Sequence, residues 1–205
     1  MVLVDTLKET ANKGKKEKII VKGDSRNKEI ENHDRSEIRE KVKIMYTNID
    51  GLIPRQLELR DYLREKEPDI VCLVETKMNK DIQVKIEDDA FDTWRKDREG
   101  KKGGGVMIMT RSSVTVNKIE YGKGRAEVIG VQIKEKNGER HKIVVAYVPP
   151  KTRCWTAEEH EGVLKDTLES LEQMINTSKR VTLIRDFSCI EVKWETFETE
   201  EGEST

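Results

Sequence analysis

From Val42 onward, short apolar runs alternate with polar, turn-rich joints. "VKIMYTN" reads as a strand that ends in polar residues, and "GLIP" then breaks the chain. In "RQLELRDYLREKE", Leu59, Tyr62 and Leu63 fall on one face of a helix. Pro68 closes that helix, and "DIVCLVE" follows as an unbroken apolar run, the pattern of a strand covered on both faces. Together these pieces form a β–α–β unit, which predicts a layered α/β fold. "GGGVMIM", "AEVIGVQIK" and "HKIVVAYVPP" supply three more strands. Asn137-Gly138 between the last two marks a hairpin, since both residue types tolerate positive φ. After Pro149-Pro150 a long amphipathic helix is expected. Thr156 and Glu159 form its capping box, and Leu164, Leu168, Leu171 and Ile175 its buried stripe. "RVTLIRD" is the closing strand, and no internal repeat is visible.

Residues 1–40 lack this periodicity and are dense in Lys, Glu, Asp and Asn, so they are read as a disordered charged tail. Residues 41–194 then make one domain, and residues 195–205 a short acidic tail. Charged residues make up 39% of the 205-residue chain, yet the net charge is only -1, which argues against a uniformly basic nucleic-acid wrapper. No apolar run approaches the roughly 18 residues of a membrane span. The first residues have no signal-peptide core, so a nuclear or cytoplasmic setting is expected. The three widely spaced cysteines fit reduced thiols. "GKKGGGV" reads as a flexible entry into a strand and "YGKGR" as a turn. Lys101, Lys102, Lys123 and Arg125 on these loops are candidate contacts to a DNA backbone. Trp94, Trp155 and Trp194 are read as packing residues.

Four strands end in a chemically useful side chain: Asn48, Glu75, Tyr147 and Asp186. Layered α/β proteins gather ligands where strand ends meet loops. Asn, Glu and Asp offer hard oxygen donors suited to Mg²⁺, and a phenol can donate to a phosphate oxygen. Phosphodiester hydrolysis calls for such a set: a metal to neutralise developing charge and a carboxylate to orient water.

"YTNIDGL", "PDIVCLVETKM", "GGGVMIM", "VVAYVPP" and "LIRDFS", in that order, resemble the motif series of the endonuclease/exonuclease/phosphatase superfamily. The likeness runs from about Lys43 to Trp194. It is nearest to the apurinic-type endonuclease domains of LINE retrotransposons of the RTE/BovB kind, and to host proteins similar to craniofacial development protein 2. The resemblance implies a DNase I-like, four-layered α/β sandwich and a Mg²⁺-dependent DNA endonuclease, with Mn²⁺ as an alternative ion. It places Glu75 as the main metal ligand and Asn48 beside metal and phosphate. Tyr147 falls on the scissile phosphate, and Asp186 on the attacking water.

The family's Gly-Asp-Phe-Asn motif is Arg185-Asp186-Phe187-Ser188 here. Ser188 thus stands in for an Asn that steadies the transition state, and Arg185 is expected to crowd Asp186. The family also uses a later Asp and an Asp-His pair, whereas residues 187–205 contain neither Asp nor His. The expectation is therefore a sandwich incomplete in its second sheet, with apolar surface left uncovered and catalysis impaired. The alternative is a non-catalytic module that binds nucleic acid or protein.

Overall fold

The computed structural model describes residues 3–6, 42–82, 90–135 and 137–187. Strands β1 (Leu3–Thr6) and β2 (Lys43–Asn48) run parallel, and helix α1 (Gln56–Lys66) crosses to a third parallel strand, β3 (Ile70–Val74). The helix stops where Glu67 adopts left-handed φ (47°) and its N–H returns to the Leu63 carbonyl at 3.0 Å. Pro68, next in sequence, cannot continue the helix. β4 (Phe91–Lys96) and β5 (Val106–Arg111) complete this sheet antiparallel, in the order β1-β2-β3-β5-β4. A second sheet contains β6 (Val116–Tyr121), β7 (Glu127–Lys134), β8 (Arg140–Val148) and β9 (Val181–Phe187), in sequence order. Helix α2 (Ala157–Asn176) is the crossover between the parallel pair β8 and β9.

Strand alternation sorts the apolar side chains into three cores. Ile44, Cys72 and Ile108 of the first sheet meet Ile129, Val145 and Ile184 of the second, so the two sheets face each other. On the outer face of the first sheet, Met45, Val71 and Met109 pack on Leu59 and Leu63 of α1. Val128, Val144 and Ala146 pack on Leu171 and Met174 of α2. The result is the expected four layers, helix–sheet–sheet–helix. Among the described residues, the second sheet ends at β9.

Three details differ from the sequence expectations. Leu3–Thr6, inside the segment read as a tail, pairs with β2. The polar stretches of β4 and β6 are strands, because each lies at a sheet edge and buries only part of its surface. The buried face of α2 is also rotated. It carries His160, Val163, Thr167, Ser170, Leu171 and Met174, while Leu168 is 63% exposed and Ile175 36%. Polar groups occupy that face because most find partners there. His160 Nε2 lies 3.0 Å from the Pro149 carbonyl, and the Ser170 hydroxyl donates to the Asp166 carbonyl while accepting the Lys123 N–H. The Thr156–Glu159 capping box forms as expected, as does the Asn137-Gly138 hairpin, with Gly138 at φ +83°.

His141 on β8 is buried between Thr182 (2.9 Å from Nε2) and Glu135 (3.0 Å from Nδ1). Burial, followed by the charge of Arg180, holds its pKa below the ordinary value, with Glu135 pulling the other way. The folded state thus favours the neutral ring, while the unfolded chain takes up its proton near the usual value of about 6.5. The stability this contributes is complete above that pH and is lost as pH falls toward the lower folded pKa. The urea midpoint should drop between about pH 7.5 and about pH 5.5, and drop less in His141→Gln. A parent midpoint that rises over this interval would contradict the assignment.

Candidate active site

Three loops are stitched together at one edge of the facing sheets. The Gly51 and Leu52 N–H groups donate to the carbonyls of Glu75 (2.8 Å) and Thr76 (2.9 Å). The N–H groups of Thr76 and Lys77 then donate to Gly105 (3.2 Å) and Gly104 (2.7 Å). This stitching forces unusual backbone on residues with side chains: Asp50, Glu75 and Lys77 have φ of 48°, 54° and 52°. Non-glycine residues pay for left-handed φ, and such outliers concentrate at functional sites. Glu75, at the end of β3, is one of them.

Its carboxylate is the hub of the site. Asn48 Nδ2 donates to Glu75 Oε1 at 3.1 Å and to Asp186 Oδ2 at 3.0 Å, while Asn48 Oδ1 accepts the Asp50 N–H at 3.1 Å. The amide is thereby oriented with its nitrogen between two carboxylates. Tyr147 donates its hydroxyl to the same Glu75 Oε1 at 2.8 Å. Burial first, then its bond to negative Glu75, raises the Tyr147 pKa far above the phenol's ordinary range. Tyr147 is therefore a fixed proton donor in a hydrogen bond and not a base. The parallel register of β8 and β9 sets Tyr147 directly beside Asp186. Four residues at the ends of four strands of two sheets thus converge.

The loop between β4 and β5 builds the adjoining wall. Arg98 donates Nε–H to Glu127 Oε1 at 2.6 Å, and the Gly105 N–H donates to Glu127 Oε2. Burial pushes the Glu127 carboxyl up, while Arg98 and the Gly105 N–H draw it back. The Arg98 carbon Cζ lies 5.7 Å from the centre of the Tyr147 ring and 5.3 Å from that of Trp155. Lys101 donates to Glu159 Oε2 at 2.6 Å and to the Cys154 carbonyl, with its ammonium 4.4 Å from the Trp155 ring centre. A cleft of about 470 Å³ opens here, lined by Glu75, Lys77, Tyr147, Arg98, Lys101 and Trp155 among others.

The expected cationic contacts therefore separate. Lys101 and Lys102 line the cleft, but Lys101 is already committed to Glu159. Lys123 and Arg125 do not line it; their backbone N–H groups bind Ser170 and Asp166, at the α2 surface. Arg185 does not crowd Asp186. Adjacent strand residues point to opposite faces, and the Arg185 guanidinium lies 5.1 Å from the ring of Phe187, on the face that carries Leu183 and Val181 toward α2. Trp155 is a cleft wall more than a packing residue, whereas Trp94 packs against the inter-sheet core. Ser188 and Trp194 lie outside the described residues. Arg98, on the loop after β4, and Glu127, the first residue of β7, belong to the site as well, and sequence reasoning singled out neither.

The donor set suits a hard divalent ion: two carboxylates, an amide and a phenol, with no thiol or imidazole among them. Among the described residues no group of three or more His, Cys, Asp or Glu gathers. A bound ion would take Glu75 as its protein ligand, with Asp186 across the Asn48 amide and water completing its shell.

Two facing sheets, helices outside, and a carboxylate–amide–phenol cluster at the sheet edge define the DNase I-like class of α/β sandwiches. The sequence profile described as the Endonuclease/Exonuclease/phosphatase family matches residues 45–162, and the chain belongs to that family. Asn48, Glu75 and Tyr147 fall inside the match, and Asp186 lies beyond it. Among solved structures the fold is similar to the 3′ phosphatase NExo from Neisseria bound to a product DNA hairpin, with 17% identity and a TM-score of 0.52. That alignment covers 71% of this chain and 57% of the other. It is also similar to the catalytic domain of Xenopus laevis APE2, with 19% identity and a TM-score of 0.53, covering 70% of this chain and 57% of that one. The chain thus spans 57% of the length of either structure. No curated protein matches the chain.

Proposed function

We propose that this chain carries a Mg²⁺-dependent phosphodiesterase centre of the nuclease type that acts on DNA, related to the endonuclease domains of LINE retrotransposons. The observation that supports it best is the convergence of Asn48, Glu75, Tyr147 and Asp186 within hydrogen-bond distance at one sheet edge. Glu75 would hold the divalent ion, which would supply charge neutralisation at the phosphate. Tyr147, held protonated, turns its one hydroxyl proton from Glu75 Oε1 to a non-bridging phosphate oxygen when substrate binds. Asp186 orients the attacking water, and the Asn48 amide fixes the spacing of the two carboxylates. Non-bridging oxygens that gain charge in the transition state are best served by donors fixed in advance.

Nicking of supercoiled plasmid in the presence of Mg²⁺ tests this reading, with Asp186→Ala beside the parent. The variant should lose about a hundredfold or more in rate, as for removal of a positioned acid–base group. A folded parent that does not nick the plasmid at all defeats the catalytic reading. It would favour the non-catalytic binding module.

A further inference from the structure

Lys77, Arg98 and Lys101 line the cleft, and each is paired with a carboxylate of this chain: Asp50, Glu127 and Glu159. These cations are therefore compensated before any anion enters. Exposure decides which pair a ligand can open. The Arg98 and Glu127 side chains are 10% and 2% exposed, and splitting a buried pair strands a charge away from water. Lys101 and Glu159 are 26% and 31% exposed, where an ion pair holds only weakly against competing partners. Lys77 and Asp50 are also exposed, but the Asp50 N–H is bound to Asn48, so that pair belongs to the catalytic floor. Lys101 is the exchangeable cation. It also donates to the Cys154 carbonyl and stands 4.4 Å from the centre of the Trp155 ring. Both of these partners are neutral, so without Glu159 the ammonium keeps its place on the cleft wall and loses only its counter-charge. Glu159 Oε2 accepts the Thr156 N–H at 3.0 Å as well, but that half of the capping box needs an acceptor and is served equally by glutamine.

We propose that Glu159 is a specificity-determining residue, an internal counter-ion that yields Lys101 only to a phosphate of a polynucleotide. This rests on the nuclease reading and narrows its substrate class to polymers, excluding small phosphate esters. A small ester must compete for Lys101 from solution, whereas Glu159 is always beside it. A strand already seated at Glu75 and Tyr147 brings its further phosphates into the same cleft at high effective concentration, and this tips the exchange. One charge-assisted hydrogen bond replaces another, so the exchange itself is nearly balanced. It is also nearly neutral toward salt, because one anion leaves Lys101 as another arrives.

The test is binding of a short dye-labelled DNA duplex over a range of NaCl, with Ca²⁺ in place of Mg²⁺ and the duplex checked for cleavage. Ca²⁺ takes the same kind of oxygen ligands, so the carboxylates of the site keep a counter-ion beside the phosphate. Glu159→Gln should bind about tenfold more tightly than the parent at the lowest salt. Its plot of log K against log [NaCl] should steepen by about 0.9, the share of one added phosphate contact. Adding Lys101→Gln should return both affinity and slope to those of the parent. Equal binding by the parent and Glu159→Gln overturns the proposal, as does no binding by either. A gain that survives Lys101→Gln also overturns it, since Arg125 is the other cation that acts on Glu159. Circular dichroism checks each fold. Should Glu159→Gln fail to fold, Lys101→Gln alone decides: duplex binding should weaken several-fold while thymidine monophosphate binds as to the parent, and an unchanged duplex affinity overturns the proposal. No turnover enters, so a plasmid that is never nicked leaves these comparisons standing, and the two readings fail separately.

Discussion

Glu75→Gly and Glu75→Ala should both abolish Mg²⁺ binding, yet the glycine variant should be the more stable of the two by about 1 kcal/mol. The reasoning rests on one backbone angle. Glu75 sits at φ 54°, held there by its carbonyl's bond to the Gly51 N–H and by the Thr76 and Lys77 N–H groups reaching the Gly105 and Gly104 carbonyls, in that order. Both substitutions remove the carboxylate, so both take the same acceptor from the Tyr147 hydroxyl and from Asn48 Nδ2, which keeps its bond to Asp186. That shared loss cancels in the comparison. What remains is the cost of a Cβ at left-handed φ, less the extra freedom glycine gains in the unfolded chain. Calorimetric titration with Mg²⁺ and urea midpoints measure the two halves independently. Retained Mg²⁺ binding in either variant would remove Glu75 as the ligand. An alanine variant as stable as the glycine variant would mean the turn is not strained. The pairing of both outcomes would identify Glu75 as a residue whose placement costs stability for the sake of the site.

The legible parts of this protein were those whose signal is local. β3 reads as buried on both faces because it is: all five of its residues are buried between α1 and the second sheet. The α2 capping box and the Asn137-Gly138 turn depend only on neighbours in sequence. Asn48, Glu75, Tyr147 and Asp186 stood out because each interrupts or ends an apolar strand. Other features depend on what lies across the fold. β4 and β6 are edge strands whose polar faces mimic loops. The stripe of α2 lies elsewhere because only its large aliphatic residues were counted, while His160, Thr167 and Ser170 are buried and Leu168 is not. Arg98 and Glu127 are 29 residues apart, and nothing in either local context announces the pair.

The glycine run shows how a local reading can point the wrong way. "GKKGGGV" suggests a flexible entry into a strand, but its three central glycines hold φ of +86°, +66° and +88°, and two of them are closely packed. Gly105 leaves space for the Thr76 hydroxyl, which a Cβ would approach to 2.6 Å, and its N–H serves Glu127. Gly104 leaves space for the Arg98–Glu127 pair. These residues therefore do for the cleft wall what the left-handed Glu75 does for its floor: they let three loops approach closely enough to be bonded together.

Gly104→Ala should consequently be among the most damaging single-atom additions to the chain, at roughly 3 kcal/mol, combining left-handed strain with overpacking. Its Cβ would stand 2.4 Å from Arg98 Cζ and from Glu127 Oε2. Neither can yield without separating a buried pair whose Glu127 carboxylate is 2% exposed. Gly138→Ala is the control. Its φ of +83° is just as unfavourable to alanine, but nothing lies within 4 Å of the added carbon. That variant should lose only the conformational part, about 1 kcal/mol. Urea unfolding of the two variants beside the parent gives the difference directly. Equal losses would show that Arg98 swings aside freely and that the Arg98–Glu127 pair does not fix the cleft wall. A Gly104→Ala variant that is much less stable than Gly138→Ala would tie the stability of the glycine run to the Arg98–Glu127 pair and so to the cleft wall it shapes.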